Sequence, residues 1–282
     1  MTAASPRRAV TPVRVQALED GRVIERPDRL VTEEPMEVRI QGAGQVAEAI
    51  AVTMRTPGHD FELAVGLCRT EGLLDGAGDL AEVKYCVADD VTQDQEYNVV
   101  TVTLRQPVDL GNHQRVVAAS SSCGICGKTT LDEVAITCAP VGAGPVIARS
   151  TLLDLPDRLR KSQTVFDTTG GLHAAGLFST AGELRVLRED VGRHNAVDKL
   201  VGHAVMNGLL PLSDSVLMVS GRLSFEIVQK AAVAGIPIVG AVSAPSSLAV
   251  ATAERFEQTL VGFLRDGRGN VYTHSERIEV DR

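Results

Sequence analysis

Tryptophan is absent from this 282-residue chain and aromatic residues make up only 3% of it, so any core has to be built from Val, Leu, Ile and Ala, which the 44% hydrophobic fraction can supply. No stretch approaches the ~18 consecutive apolar residues of a membrane span. No apolar segment follows Arg7 and Arg8 either, so no secretory signal is expected, and the expected setting is the reducing cytoplasm. Positive charge is in short supply. Lys and Arg total 28 against 36 Asp and Glu, a formal net charge of -8, which argues against general nucleic-acid binding and leaves room only for local phosphate contacts. Five cysteines are too few, and odd in number, for a disulfide framework. Three of them, Cys68, Cys86 and Cys138, sit among apolar neighbours and are expected to pack as small hydrophobes. The chain also has no G-x-x-x-x-G-K-[ST] loop and no H-E-x-x-H. Its one H-x-E, His274-Ser275-Glu276, follows the one C-x-x-C, the reverse of the zinc deaminase order.

What remains is concentrated in Ser120-Ser121-Ser122-Cys123-Gly124-Ile125-Cys126-Gly127-Lys128. Glycines at 124 and 127 let the backbone bend tightly and disfavour a helix there. The serines leave both sulfurs open to approach, and the Lys128 cation favours the thiolate, the reactive form of cysteine. A lone C-x-x-C is compatible with sulfur chemistry or with half of a zinc site. No second C-x-x-C or H-x₃-H supplies the other two zinc ligands, which favours sulfur chemistry.

Residues 1–30 mix Pro, Arg, Thr and Ala and read as a flexible tail. Ordered structure is expected from 31, with strands over 37–40 and 49–54 joined by a turn at Gly42-Ala43-Gly44. A helix is expected to be capped by Thr56 and to bury Phe61, Ala64, Val65 and Cys68. Strands follow at 83–87 and 97–104. Val141 to Pro145 is the best boundary between an N-terminal α+β domain (31–145), which carries the cysteine loop, and an α/β domain (146–282). In the second part a helix over 156–166 and strands over 172–179 and 183–188 lead to Asp190, Arg193 and His194 at a strand-to-helix junction. From 215 short apolar strands alternate with helices at 224–234 and 246–258, the last strand being 260–264, which predicts parallel pairing. Ligands of such sheets bind beyond the carboxyl ends of the strands. Those ends carry Ser220-Gly221-Arg222, Ser243-Ala244-Pro245-Ser246 and Arg265-Asp266-Gly267-Arg268, small or cationic segments suited to phosphate, with Arg222, Arg265 and Arg268 as the cations. Asp190, Arg193, His194 and His173 are equally compatible with a ligand cluster and with helix capping.

The cysteine loop resembles that of the FdhD family of formate dehydrogenase accessory sulfurtransferases. The resemblance extends through Thr56-Pro57-Gly58, Thr169-Gly170-Gly171-Leu172-His173-Ala174-Ala175, the run Glu189 to Lys199, Ser220-Gly221-Arg222, Ser243 to Ser246, and Gly262 to Arg265 with Asn270 to Thr273. It implies a C-terminal three-layer α/β domain like the cytidine deaminase fold without its zinc, a smaller β-rich N-terminal domain, and a homodimer. It also implies a sulfur carrier that takes persulfide sulfur from a cysteine desulfurase. The sulfur passes to the molybdenum or tungsten bis(guanine dinucleotide) cofactor, a bound substrate for which GDP is a mimic, before insertion into formate dehydrogenase. Carried over, Cys123 holds the persulfide and Cys126 assists, while Phe263, Leu264, Arg265, Asp266, Gly267 and Arg268 form the cofactor loop, joined on the reading above by Arg222, His194 and Asp190. Two rivals stay open: a dithiol oxidoreductase, and a chaperone that only holds the cofactor.

Overall fold

The computed structural model describes residues 8–86, 97–110 and 139–279. The cysteine loop with His113, Arg115, Cys138 and the segment 131–138, the end of the expected strand at Val87, and the acidic loop expected over Asp89 to Glu96 lie outside these. The chain is a mixed α/β protein.

Its first elements, β1 (Val10–Glu19) and β2 (Arg22–Val31), form an antiparallel hairpin where composition suggests a tail. The turn is Asp20-Gly21, both at positive φ (49° and 71°), the geometry that two-residue hairpin loops favour. The local turn chemistry outweighs the Pro and Arg content.

A four-stranded sheet follows, in the order β4-β3-β6-β5, from β3 (Glu34–Gln41), β4 (Glu48–Arg55), β5 (Leu80–Tyr85) and β6 (Val99–Leu104). Helix α1 (Asp60–Thr70) buries Ala64, Val65 and Cys68 as their spacing predicts. Burial pushes the Cys68 thiol well above its usual range, making it unreactive. Thr56 is not the cap of α1. His59 stands there in the left-handed region, and Thr56 is taken up by a contact described below.

The segment 141–145 is tied down. Gly142 and Ala143 carbonyls accept from the Arg277 guanidinium, and Val141 donates to Phe256. After β7 (Ile147–Ala148), α2 (Arg149–Ser162) starts seven residues earlier than Pro156 suggests and carries that proline in its interior. Gln163 breaks it, and α3 (Thr164–Thr169) restarts. Then come β8 (His173–Ser179), β9 (Leu184–Asp190), α4 (Arg193–Met206), β10 (Ser215–Val219), α5 (Phe225–Val233), β11 (Ile238–Ala241), α6 (Ser247–Arg255), β12 (Thr259–Arg265) and β13 (Arg268–Thr273). A 3₁₀ turn and β14 (Ile278–Glu279), which pairs with β7, end the described chain. The six-stranded sheet runs β13-β12-β11-β10-β8-β9. Strands β10, β11 and β12 are parallel, as their alternation with helices predicts. Strand β12 is not the last, because Asp266-Gly267 turns it into β13.

Alternate residues of each central strand face opposite cores. Val216 and Met218 of β10 meet Leu152, Leu155 and Leu159 of α2 on one side. Leu217 and Val219 join α4, α5, α1 and the N-terminal sheet on the other. Helix α4 is thus sandwiched between the large sheet and α1, which explains why polar Asn195, Asp198 and Lys199 are buried along with its apolar stripe. Helices α1 and α4 cross with backbones in contact. A Cβ on Gly66 would fall 1.8 Å from the Asp198 carbonyl oxygen, and one on Gly202 would fall 1.8 Å from that of Glu62. Charged pairs surround the crossing: Asp198 with Lys230 at 2.8 Å and with Thr70 Oγ1 at 2.8 Å, and Glu62 with Arg188 and His203. Burial acts to raise the Glu62 carboxyl, but hydrogen bonds and charge from Arg188 and His59 outweigh it and bring the group down to about 2. No helix among the described residues is long and apolar enough to cross a membrane.

Two expectations follow. Gly66→Ala forces the crossing apart and should cost about 2 kcal/mol or more, measured as a lowered urea midpoint; an unchanged midpoint contradicts the close contact. The depressed Glu62 contributes stability that is complete above its ordinary pKa of 4.5 and is lost as the pH falls from there towards about 2. Between pH 5 and 3 the native protein should therefore lose more stability than Glu62→Gln, read from urea melts at the two pH values.

Candidate functional site

The parallel strands β10, β11 and β12 point their carboxyl ends to one edge of the sheet. Strand β8 is antiparallel to β10, so its first residue, His173, arrives at that same edge, and β9 brings Asp190 opposite it. The topology thereby collects segments far apart in sequence: 170–173, 190–194, 220–222, 243–246 and 263–266.

Asp190 is completely buried and its carboxylate is filled from within. It accepts from the backbone N–H of Thr56 (3.1 Å), the N–H of Gly192 (2.8 Å) and Asn195 Nδ2 (2.9 Å), and it pairs with Lys199 Nζ at 2.7 Å. Lys199 also donates to the Thr56 carbonyl, and Thr56 Oγ1 accepts from Val191 N–H. The Thr56-Pro57-Gly58 segment is thus fastened to the β9–α4 junction. With no exposed surface, Asp190 organises this junction rather than facing a ligand.

The neighbours that it positions are more open. His194 Nε2 lies 2.8 Å from Glu226 Oε2 and 3.1 Å from Ser224 Oγ; its hydrogen bond holds the Glu226 carboxyl below the usual range. His173 is pushed below its ordinary pKa by burial, then by the charges of Arg193 and His194. The shift favours its uncharged form. Gly221 lies in ordinary contact distance of both side chains: a Cβ on it would stand 3.4 Å from His173 Nδ1 and 3.8 Å from Arg193 Cδ. The buried Nε of Arg193 has no hydrogen-bond acceptor among the described residues. A buried donor left this way is costly unless an acceptor arrives.

Beside this cluster lies a cleft of about 550 Å³. Leu159, Phe166, Leu172 and Val242 form apolar walls, and His173, Ser220, Arg265 and Asp266 add polar groups. Arg265 and Asp266 are the two residues of the sequence-expected cofactor loop that line it. Phe263 is held at positive φ (55°) at a register shift, its N–H bonded to the Ser243 carbonyl, and Arg265 lies 5.9 Å over its ring. Leu264 is fully buried in the α2 core, so its side chain is not available to a ligand. Gly267 completes the β12–β13 turn and Arg268 starts β13 opposite Arg265. Arg222 is exposed at the same edge, and neither it nor His194 lines the cleft. Cys123 and Cys126 lie outside the described residues. Sequence reasoning gave no role to Phe166 or Lys199, whose placement depends on contacts with Glu189, 23 residues away, and Thr56, 143 residues away.

Residues 31–279 match the model of the FdhD/NarQ family, which leaves most of the β1–β2 hairpin outside the match. Over 272 residues the chain is 52% identical to the sulfur carrier protein FdhD of Streptomyces coelicolor, covering 95% of each chain. It is 47% identical to that of Mycobacterium tuberculosis, covering 94% of this chain and 97% of the other. It is 43% identical to that of Sulfurisphaera tokodaii, with 89% and 92% covered. Among solved structures, a protein assigned as a formate dehydrogenase accessory protein from Desulfotalea psychrophila matches with a TM-score of 0.73 over 96% of this chain and all of the other, at 24% identity, which supports the likeness of fold.

Lys199→Met should cost about 3–5 kcal/mol, because Asp190 is left buried and uncompensated. Adding Asp190→Asn should recover part of that loss, as measured by chemical denaturation. Additive losses would mean that the two groups are not a pair.

Proposed function

Because the chain belongs to the FdhD/NarQ family, we propose that it is a sulfur carrier for formate dehydrogenase maturation, moving sulfur on Cys123 to a guanine-dinucleotide molybdenum or tungsten cofactor held at the C-terminal edge of the large sheet. The relatives' printed name, sulfur carrier protein, supports the transfer role. The observation that carries the cofactor reading is the buried Arg193 Nε, which has no acceptor among the described residues, beside His173 and next to a cleft lined by Arg265 and Asp266. Arginines and a hydroxyl at strand ends are suited to a diphosphate.

The chemistry runs in two displacements. Cys123 thiolate attacks the terminal sulfur of a desulfurase persulfide. The donor's cysteine leaves as a thiolate, and Cys123 becomes the persulfide Cys-S-SH, which keeps the proton of the transferred sulfur. In the second step Cys126 thiolate attacks Cys123 Sγ, and the terminal sulfur departs as hydrosulfide to the metal of the bound cofactor. The Cys123–Cys126 disulfide so formed is reduced by a cellular thiol before the next cycle. Lys128 favours the thiolate in both steps. The role of the sheet edge is to hold the anionic acceptor while this exchange takes place. Partners of this reading are a cysteine desulfurase, formate dehydrogenase and a second copy of the chain, in the cytoplasm.

Cys123→Ala should abolish activation of formate dehydrogenase in cells lacking the native copy, with an unchanged melting temperature. After incubation with a desulfurase and cysteine, the native protein should gain about 32 Da on a peptide containing Cys123. Full activation by the Cys123→Ala, Cys126→Ala double variant would favour the cofactor-holding chaperone instead.

A further inference from the structure

The cleft has one wall whose construction the diphosphate reading does not use. Helix α2 stops at Ser162, and Gln163, buried with φ -80° and ψ 75°, turns the chain before α3 begins. The first amides of a helix need acceptors. Here they come from across the sheet: Glu189, on β9, accepts from Val165 N–H at 3.2 Å with one carboxylate oxygen and from Phe166 N–H at 3.0 Å with the other. A carboxylate on two consecutive amides at a helix start fixes both the position and the rotation of the turn. Phe166 is the residue that this turn delivers into the cleft. The Arg160 guanidinium lies 4.6 Å from the centroid of its ring and is itself steadied by Asp167. Ring and guanidinium, stacked one over the other, both line the cleft beside Leu159 and Leu172. On the other side Val31, at the root of the β1–β2 hairpin, stands 3.0 Å from where a Gly171 Cβ would be, so the wall is backed from outside as well.

A stacked aromatic–guanidinium pair with apolar flanks, beside His173, Ser220 and Arg265, matches a planar heterocycle joined to an anionic group. We propose that Phe166 is the stacking platform for the purine base of the nucleotide in this cleft, and that Glu189, which does not line the cleft, is the positioning residue that sets it. The inference rests on the reading of the cleft as a nucleotide site and adds the base-binding end to it. Stacking reads a π-face and not a hydrogen-bond pattern, so this end favours purines as a class and leaves the choice between guanine and adenine to other groups.

The test is calorimetric titration of the full chain with GDP, ADP and inorganic pyrophosphate. Phe166→Ala should weaken GDP and ADP about tenfold, the loss of one base stack, and leave pyrophosphate unchanged. Phe166→Tyr keeps the ring and should stay within about twofold of the native affinity. Glu189→Ala should weaken GDP to the same degree as Phe166→Ala, and combining the two should add little, because both act on one platform. Glu189→Gln keeps an acceptor oxygen and should fall between. Melting temperatures of Phe166→Tyr and Glu189→Gln close to the native value guard against misfolding as the cause. If the native chain binds GDP and Phe166→Ala binds it equally well, the platform is wrong while the nucleotide site stands. If pyrophosphate binds as tightly as GDP, base stacking contributes nothing and the inference falls. If the native chain binds none of the three, the nucleotide reading of the cleft fails with it.

Discussion

Everything at the working edge of this protein depends on two helices touching backbone to backbone. Gly66 of α1 and Gly202 of α4 each leave a gap that the other helix's carbonyl fills, with no room for a methyl group. That contact brings the four-stranded N-terminal sheet and the six-stranded C-terminal sheet onto a common core. It also brings the Thr56-Pro57-Gly58 segment down onto Asp190 and Lys199. Polar groups that an isolated α4 could not hide, Asp198, Lys199 and Asn195, are buried because α1 covers them and because Lys230, Asp190 and Thr56 pair with them. Breaking such pairs one partner at a time is expensive, so the junction has one arrangement.

That rigidity has a consequence for chemistry. Asp190 and Lys199 neutralise each other inside, so the cations left at the edge, Arg193, Arg222, Arg265 and Arg268, stand above a balanced interior. A chain with net charge -8 thus keeps local positive charge at the carboxyl ends of β10 and β12. His173, half-buried next to Arg193 and shifted towards its uncharged form, adds an imidazole to this edge. On the proposed reading, this edge holds the anionic acceptor to which Cys123 passes its sulfur.

Much of the fold was legible from the chain. The strands at β3, β4 and β6, the buried face of α1 and the parallel run β10-β11-β12 follow from hydrophobic period alone. Two hairpins were misread, and both are closed by the same dipeptide. Asp20-Gly21 sits in a Pro- and Arg-rich stretch that reads as a tail. Asp266-Gly267 follows a strand that reads as the last, in a segment read as a ligand loop. In each case the dipeptide's readiness to adopt positive φ decided the outcome over composition. Pro156 misplaced the start of α2, because proline favours a first turn but tolerates an interior position when packing on Leu152, Leu155 and Leu159 holds the helix.

By itself the sequence determined the spacing of the two thiols, the absence of a second metal-ligand pair, the small and cationic strand ends, and the alternation that makes a parallel sheet. These are local properties, set by residue type and by periods of two or about four residues. Tertiary structure alone decided that Asp190 and Leu264 turn inward, that Arg265 and Asp266 share a cleft with Phe166, and that Glu189 and Thr56 hold pieces of chain far from themselves. Those outcomes depend on which faces meet when two sheets are packed through one helix crossing, and pairwise contacts across a hundred residues leave no periodic trace in the chain.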